Sequence, residues 1–333
     1  MNNNGICAYE FLHPVIGAVI FNSMTYLVKL AVCDAKLTAL KKPFKGDKMS
    51  QVVERLIELL KLEAQGNGRF IGESQDLGFP KVFGGQVVGQ ALSAAFQTVK
   101  ERTPHSLHCY FLRPGDASLP IEYEVETVRD GGSFSVRRVI ASQAGKSILL
   151  MTVSFQITEE GFEHHEAMPN VPGPEAFESE LNLYRSHAEE IPEKVRALFL
   201  AERPIEYRVV ENQNPFRPRH GIAKRHMWIK STAPLPDDVH VHQSMLAYTT
   251  DYGFLETALM PHGISIGNRY LNIASLDHSI WFHREFRLDE WLLYVADSPS
   301  AGSARGFVRG QIFNRAGQLV ASTAQEGLIR YRR

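Results

Sequence analysis

One arrangement, a long helical segment followed by four strand-like runs, occurs twice in this chain of 333 residues. In the first half, the helical segment FGGQVVGQALSAAFQTVK covers residues 83–100. In the second half, VHVHQSMLAYTTDYGFLETALM covers residues 239–260. Matching positions in the strands that follow are about 170 residues apart in the two halves. A repeat of this length restricts the fold to two similar units, each built on one long helix.

The strand-like runs contain β-branched and aromatic residues, and glycine-containing turns such as SQAGKS and NRAGQL separate them. These features predict antiparallel hairpins. The runs RFIGESQD and IEYRVVEN predict one earlier strand in each half. We therefore expect an α+β fold with two repeats of a long helix wrapped by a curved antiparallel sheet. The first unit should cover residues 49–157 and the second residues 203–333, joined by an acidic connector at residues 158–202 with surface helices.

Residues 1–48 differ from the repeat, because they contain an apolar run about long enough to span a bilayer. Pro14 and Lys29 interrupt this run, and no positively charged region of a secretory signal precedes it. Downstream, Ser50 is suited to cap an amphipathic helix. Our hypothesis is that Met49 is the biological start and that residues 1–48 are a non-family extension read from a wrongly assigned start. The alternatives are a membrane-contacting helix and an extra folded element.

Charge and motif content exclude several classes of function. A formal net charge of −1, without a long basic run, lacks the electrostatic footprint of a nucleic-acid binder, so a small molecule is the expected ligand. The three cysteines have no metal-ligand spacing, which predicts no zinc site and no disulfide framework. No phosphate-binding or dinucleotide-binding fingerprint occurs, so we expect no cofactor. No membrane contact is expected for residues 49–333.

Asp251 is an acid among apolar and small neighbours in the second helical segment. A buried carboxylate costs several kcal/mol unless hydrogen-bond donors satisfy it. The repeat offers an internal comparison, because aligning the two helices places Ala94 opposite Asp251. A mid-helix acid that caps or faces solvent is the alternative, but the first half shows that the helix forms without it.

Two strand positions complete the comparison between the halves. Gln325 aligns with Val153, so an apolar position in one half is polar in the other, whereas Ser275 aligns with Ser106. An acid, an amide and a hydroxyl could together hold and deprotonate one water molecule.

The neighbouring residues Asp277 and His278 resemble an acid–base pair, but adjacent residues of a strand face opposite sides of the sheet. Ser275 and Asp277 should share one face and His278 the other. His278 and His283 are therefore expected to be structural, hydrogen-bonded histidines.

The segments FGGQVVGQAL, HCYFLRPGD, RDGGSFSVRRV, LDHSIWFHREF, SARGFVRG and LVASTAQEG closely resemble the acyl-CoA thioesterase II family. The resemblance runs from about Met49 to the C-terminus. It implies a double hot-dog fold and hydrolysis of fatty acyl-CoA to fatty acid and CoA without a metal or cofactor. It also implies a catalytic trio of Asp251, Ser275 and Gln325, although many relatives have Thr where this chain has Ser275.

The donors for the thioester oxygen remain open at this stage. Backbone amides at a helix N-terminus suit a developing negative charge, either near Gly84 and Gly85 or near His242 and Gln243.

Two rival functions also remain: an enoyl-CoA hydratase or dehydratase of the same fold, and a non-catalytic acyl-CoA-binding module. Uncovered sheet edges favour a homo-oligomer, a dimer or a tetramer. The terminus YRR lacks a peroxisomal signal of the S-K-L type, which favours the cytoplasm.

Overall fold

A single antiparallel sheet of 13 strands organises the part of the chain that the computed structural model describes. This part comprises residues 48–332 except residues 79, 192, 212, 213, 215, 217 and 219. The expectations for residues 1–47 lie outside it. The strands, in chain order, are β1 (Glu63–Gly66), β2 (Arg69–Gly72), β3 (Thr103–Phe111), β4 (Ile121–Asp130), β5 (Phe134–Gln143), β6 (Lys146–Gln156), β7 (Ile205–Val209), β8 (Lys224–Ser231), β9 (Leu271–Ser275), β10 (Asp277–Phe282), β11 (Leu292–Gly302), β12 (Arg305–Asn314) and β13 (Leu319–Tyr331).

The helices divide into two long central ones and several shorter ones. They are α1 (Lys48–Leu60), α2 (Gly84–Phe96), α3 (Glu180–Ser186), α4 (Glu193–Phe199), α5 (Val239–Thr250) and α6 (Glu256–Leu259). Single 3₁₀ turns lie at Pro174–Ala176, Ala188–Glu190 and Met260–His262.

The strand order reproduces the repeat around a central seam. The sheet runs β1-β2-β4-β5-β6-β3-β10-β13-β12-β11-β8-β7, with β9 pairing to β13 beside β10. The strands from the first half therefore lie on one side of the β3–β10 seam and those from the second half on the other, in mirrored order. The expected α+β architecture, two helix-and-sheet repeats, is confirmed.

Two local expectations were wrong, and one strand was not predicted. The strand that pairs with β11 is β8, which we had not predicted, while IEYRVVEN forms β7 at the sheet edge. Ser50 lies inside α1 rather than capping it, and its hydroxyl donates to the Glu54 carboxylate over 3.2 Å. The second long helix ends at Thr250, ten residues before the predicted segment ends. Local residue patterns do not fix these features, because contacts with distant elements decide them.

The two long helices pack against each other in antiparallel directions at the centre of the core. Gly85, near the start of α2, lies against Tyr248 near the end of α5. Towards the other end of α2, the Ser93 hydroxyl donates to Ser244 Oγ over 3.1 Å. Glycine allows this approach, since a Cβ atom on Gly85 would lie 2.2 Å from the Tyr248 carbonyl oxygen.

The connector covers part of the second half. Trp228 of β8 packs with buried apolar residues of β11 and β12, and connector residues including Met168, Val171 and Phe177 pack against this cluster. The Trp228 indole nitrogen also donates to the carbonyl oxygen of Pro172 over 3.0 Å. This packing ties residues of the connector to the sheet.

No helix within the described ranges is long and apolar enough to cross a membrane.

We predict that Gly85→Ala destabilises the protein. The new methyl group would overlap the Tyr248 carbonyl, and overpacking of this kind costs roughly 1–3 kcal/mol. The sign of the change in the free energy of unfolding is informative, because glycine-to-alanine changes within helices otherwise stabilise a protein by up to about 1 kcal/mol. Urea unfolding measures the effect. Gly161→Ala is the control, since a Cβ atom there would meet no atom within 4 Å. Equal stability of the two variants would contradict the close helix packing.

Candidate active site

Three polar side chains from distant parts of the sequence meet beside the end of α5. The Ser275 hydroxyl donates to Asp251 Oδ1 over 2.9 Å. The Gln325 amide nitrogen donates to the same carboxylate oxygen over 3.1 Å and to Ser275 Oγ over 2.8 Å. These three residues are the trio that the sequence singled out. The carboxylate thus has two donors on one oxygen, as a half-buried charge requires.

Asp251 is the C-cap residue of α5, not an interior residue of a longer helix. Gly253 has φ +65°, a left-handed conformation that glycine adopts readily and that commonly ends helices. A carboxylate at the C-terminus of its own helix faces the negative end of that helix dipole. The groups that stabilise its charge therefore have to come from other elements.

The N-terminus of α2 is one of these elements. α2 begins at Gly84, and a Cβ atom on Gly84 would lie only 2.6 Å from Asp251 Oδ2. The first N–H groups of a helix lack partners within the helix and carry the positive end of its dipole. The absence of a side chain at Gly84 lets this positive end approach the carboxylate oxygen that Ser275 and Gln325 leave unbonded.

A shift in strand register turns Ser275 towards the site. Ser275 pairs with Gly327 and Ser279 pairs with Ala324, so the chain gains one residue relative to β13 between these pairs. In a regular strand, Ser275 would face away from His278. Because of the β-bulge, the side chains of Ser275 and His278 both point towards Gln325. The expectation that Ser275 and His278 lie on opposite faces was therefore wrong.

Beyond Gln325 the hydrogen bonds continue into the protein interior. His278 Nδ1 lies 2.7 Å from Gln325 Oε1, and His278 Nε2 lies 3.0 Å from Thr250 Oγ1. His278 is fully buried, and this burial lowers the pKa of its imidazole. The sequence predicted a hydrogen-bonded histidine here, but not that its partner would be Gln325.

Asp277 faces away from this cluster, as predicted. Its carboxylate accepts a hydrogen bond from the Glu326 N–H over 2.8 Å, and burial raises the pKa of the Asp277 carboxyl. His283 is also hydrogen-bonded, with Nε2 2.8 Å from Ser322 Oγ. Asp277 and His278 therefore form no acid–base pair.

A buried arginine, Arg225, holds the turn that follows Asp251. Arg225 of β8 donates to the Gly253 carbonyl oxygen over 3.0 Å and to the Glu256 carboxylate over 2.9 Å. The turn that carries the acid is therefore anchored to the sheet by an ion pair at its far end.

The connector anchors the same turn from the other side. Arg203 donates to the Glu180 carboxylate over 2.8 Å, and the Tyr252 hydroxyl donates to the same Glu180 oxygen over 2.7 Å. Glu180 opens the connector helix α3. A cleft of about 330 Å³ borders Glu180 and Arg203, but it is not lined by the trio.

The two pairs of candidate oxyanion residues lie at opposite ends of the helix pair. Gly84 and Gly85 are at the start of α2, beside Asp251. His242 and Gln243 are near the start of α5, about 13 Å along the helix axis from its C-cap. His242 Nδ1 accepts a hydrogen bond from the backbone N–H of Leu288 over 3.0 Å.

The corresponding positions of the first half are apolar. Ala94 and Val153 are fully buried, and Leu107 pairs with Val153. The sequence alignment had placed Ser106 opposite Ser275. In the structure, Ser106 does not occupy the corresponding place in the first half. Phe155 is the counterpart of Gly327, the residue that pairs with Ser275. Phe155 pairs with Pro104, so Pro104 lies in the place of Ser275. A second bulge, between residues 104 and 106, causes this difference. Of these aligned positions, only those in the second half form a polar cluster.

Among the residues that the structure describes, no group of three His, Cys, Asp or Glu side chains could hold a metal ion.

Family models match both halves of the chain. The model described as acyl-CoA thioesterase matches residues 194–328, and the model described as acyl-CoA thioesterase N-terminal domain matches residues 73–156. The chain is 47% identical over 284 residues to acyl-CoA thioesterase 2 of Haemophilus influenzae, covering 85% of this chain and 99% of the relative. It is 39% identical to human acyl-coenzyme A thioesterase 8, covering 86% of this chain and 91% of the relative.

A solved structure agrees with these matches. An acyl-CoA thioesterase II from Mycobacterium marinum superposes with a TM-score of 0.69 at 39% identity, covering 83% of this chain and 98% of that one. The mirrored sheet, the paired long helices and the polar cluster define a double hot-dog protein of the thioesterase class. The chain belongs to the acyl-CoA thioesterase II family.

We predict that the stability of this protein depends on pH partly through His278. Because burial lowers the pKa of His278 in the folded chain, the unfolded chain binds more protons below about pH 6.5. The free energy of unfolding should therefore fall as the pH drops from 7 to 5, by at most about 1.4 kcal/mol per pH unit for this group.

Chemical denaturation at a series of pH values measures this slope. His278→Asn removes the titrating group and should reduce the slope, although other histidines with lowered pKa values, such as His105 and His283, keep some of it. His164→Asn removes an exposed histidine and is the control for the substitution itself. Equal slopes in all three proteins would show that His278 does not titrate as described.

Proposed function

We propose that this protein hydrolyses fatty acyl-CoA to a free fatty acid and CoA, with Asp251 as the general base that activates water. Membership of the acyl-CoA thioesterase II family supports the reaction. The observation that carries the assignment of residues is the cluster itself, in which a carboxylate, a hydroxyl and an amide lie within 3.1 Å of one another. The aligned apolar positions of the first half indicate that the fold does not require this cluster.

In the proposed mechanism, Asp251 Oδ2 accepts the proton of the attacking water. Ser275 and Gln325 hold Oδ1 and keep the carboxylate in one orientation. Ser275 Oγ can also accept a hydrogen bond from the water, and Gln325, by donating to that oxygen, fixes the orientation in which it does so. The new C–O bond forms as the proton moves to Asp251, and the C–S bond then breaks to release the CoA thiolate. Because a thiolate needs little protonation to leave, one base is sufficient.

The thioester oxygen gains negative charge during the attack and needs nearby donors. We propose the backbone amides at the N-terminus of α2, at Gly84 and Gly85, for this role. Their support is the approach of Gly84 to Asp251 Oδ2, which puts these amides on the same side as the attacking water. His242 and Gln243 are the weaker pair, since most of the length of α5 separates them from Asp251.

We further propose two hot-dog units, at residues 49–157 and 203–333, with the connector at 158–202 between them and residues 1–48 outside the catalytic body. Cytoplasmic location and a role in lipid metabolism fit a fatty acyl-CoA substrate.

Strands β1 and β7 end the sheet, and each leaves one edge without a neighbouring strand within the described part. Such edges are usually covered, which supports a homo-oligomer.

Asp251→Asn should lower kcat by roughly 10²–10⁴-fold, which is the usual contribution of a positioned general base. The amide keeps the size of the side chain but does not accept the proton. Thiol release from palmitoyl-CoA measures the rate, and circular dichroism checks the fold. Asp277→Asn is the matched control, because its carboxylate faces away from the cluster, and it should keep kcat within a few-fold. Near-normal turnover by Asp251→Asn would rule out this acid as the base.

The chain begun at Met49 should keep the kcat and KM of the full chain, because the cluster and both family matches lie after this residue. Light scattering on the same sample should give the mass of a dimer or a tetramer. A loss of activity or solubility on truncation would contradict the proposed boundary, and a monomer mass with full activity would contradict the proposed assembly.

A further inference from the structure

The mechanism above does not use His278, the fully buried histidine on the far side of Gln325 from Asp251. It is a titratable group, and in the described part of the chain its ring nitrogens form hydrogen bonds with neither Asp251 nor Ser275. Its two ring nitrogens each have one partner, Gln325 at 2.7 Å and Thr250 at 3.0 Å. Any role of His278 in the site therefore acts through its hydrogen bonds with Gln325 and Thr250.

The direction of each hydrogen bond follows from the charge on Asp251. An ionised carboxylate accepts hydrogen bonds and donates none. Ser275 must therefore donate its hydroxyl proton to Oδ1, and Gln325 must present its NH₂ group, not its carbonyl, to Asp251 and Ser275. The amide oxygen of Gln325 then points to the opposite side, where it can only accept.

The proton arrangement of His278 follows in turn. Nδ1 must carry a hydrogen in order to donate to Gln325 Oε1. Burial keeps the imidazole neutral, so Nε2 carries no hydrogen and accepts the hydroxyl proton of Thr250. The Thr250 hydroxyl also lies 3.3 Å from the Ala247 carbonyl oxygen, which is the longer of its two contacts. A single direction of donation thus runs from Thr250 through His278 and Gln325 to Asp251.

The groups that face His278 are consistent with a neutral ring. Asp251 lies beyond Gln325, Asp277 lies next to it on the same strand but on the other face, and Cys109 lies opposite it on β3. Burial raises the pKa of the Cys109 thiol, so that neighbour carries no charge. Phe254 packs its ring at a right angle to the imidazole.

We propose that His278, with Thr250 behind it, is a positioning residue that fixes the amide orientation of Gln325. Without the Nδ1–H donor, only the contacts with Asp251 and Ser275 hold the amide in this orientation, and its two ends have nearly the same shape, so no steric clash prevents rotation by half a turn. The rotated amide would place its oxygen against the Asp251 carboxylate and remove both hydrogen bonds that the Gln325 NH₂ group donates, to Asp251 and to Ser275. This inference rests on the proposed function, since it assigns His278 a task in that same site.

Two substitutions distinguish the contribution of Nδ1 from that of Nε2. His278→Asn keeps an amide nitrogen near the place of Nδ1, whereas His278→Gln keeps a polar group near the place of Nε2 and loses the Nδ1 donor. His278→Asn should keep kcat within about three-fold of the parent. His278→Gln should lower kcat by roughly 10- to 100-fold, the range for loss of a strong hydrogen bond at a reacting group, with little change in KM.

Dependence on Gln325 is tested in the same experiment. In a Gln325→Ala background, His278→Gln should cost nothing further in kcat, because the residue through which His278 acts has already been removed. Thr250→Val and Thr250→Ser form a second pair that keeps the shape of the helix end. Thr250→Val should lower kcat through the same dependence on Gln325, whereas Thr250→Ser should not. This pair gives the answer if His278→Gln fails to fold.

Equal losses in His278→Asn and His278→Gln, or an undiminished loss in the Gln325→Ala background, would overturn the proposal. For the second pair, equal rates in Thr250→Val and Thr250→Ser would do the same. Asp251→Asn, measured in parallel, separates this failure from failure of the proposed function. An inactive Asp251→Asn with equal His278 variants contradicts only the role of His278, whereas an active Asp251→Asn contradicts the proposed base.

Discussion

The antiparallel contact between α2 and α5 sets the position of every other part of the site. It brings the N-terminus of one helix beside the C-terminus of the other, so the positive end of the α2 dipole meets the acid that ends α5. The contact depends on Gly84 and Gly85, since a side chain at either position would overlap Asp251 or Tyr248. The helix pair therefore serves two purposes at once: it fills the core, and it creates a site that favours negative charge.

A carboxylate in this half-buried position is stable only if its donors are fixed in place. Removing an acid from water costs several kcal/mol, and charge-assisted hydrogen bonds return much of that energy when their geometry is good. Ser275 and Gln325 supply such bonds from β9 and β13, which are neighbours in the sheet. The first half, with alanine and valine at the aligned positions, has the same architecture and no charge to satisfy. The energetic cost of the polar cluster is thus confined to one of the two repeats.

The surroundings of the cluster make its geometry rigid. The bulge between Ser275 and Ser279 turns one hydroxyl inwards without changing the rest of the sheet. Arg225 from the sheet and Glu180 from the connector hold the turn after Asp251 from two sides. The connector thus supports the acid as well as joining the two halves, a function that its acidic, proline-containing sequence did not suggest.

The sequence by itself determined the repeat, the α+β architecture and the identity of the trio, because these depend on residue types and on spacing within each half. It also predicted that Asp277 and His278 face apart, since the alternation of a strand is a local property. Only the tertiary structure decided that α5 stops at Thr250, that the side chains of Ser275 and His278 both point towards Gln325, and that Gly84 is the helix start nearest the acid. Each of these depends on the register or packing of a segment against a partner far away in the sequence. Local periodicity does not encode that register, because a shift of one residue exchanges the faces of a strand while leaving its residue pattern the same.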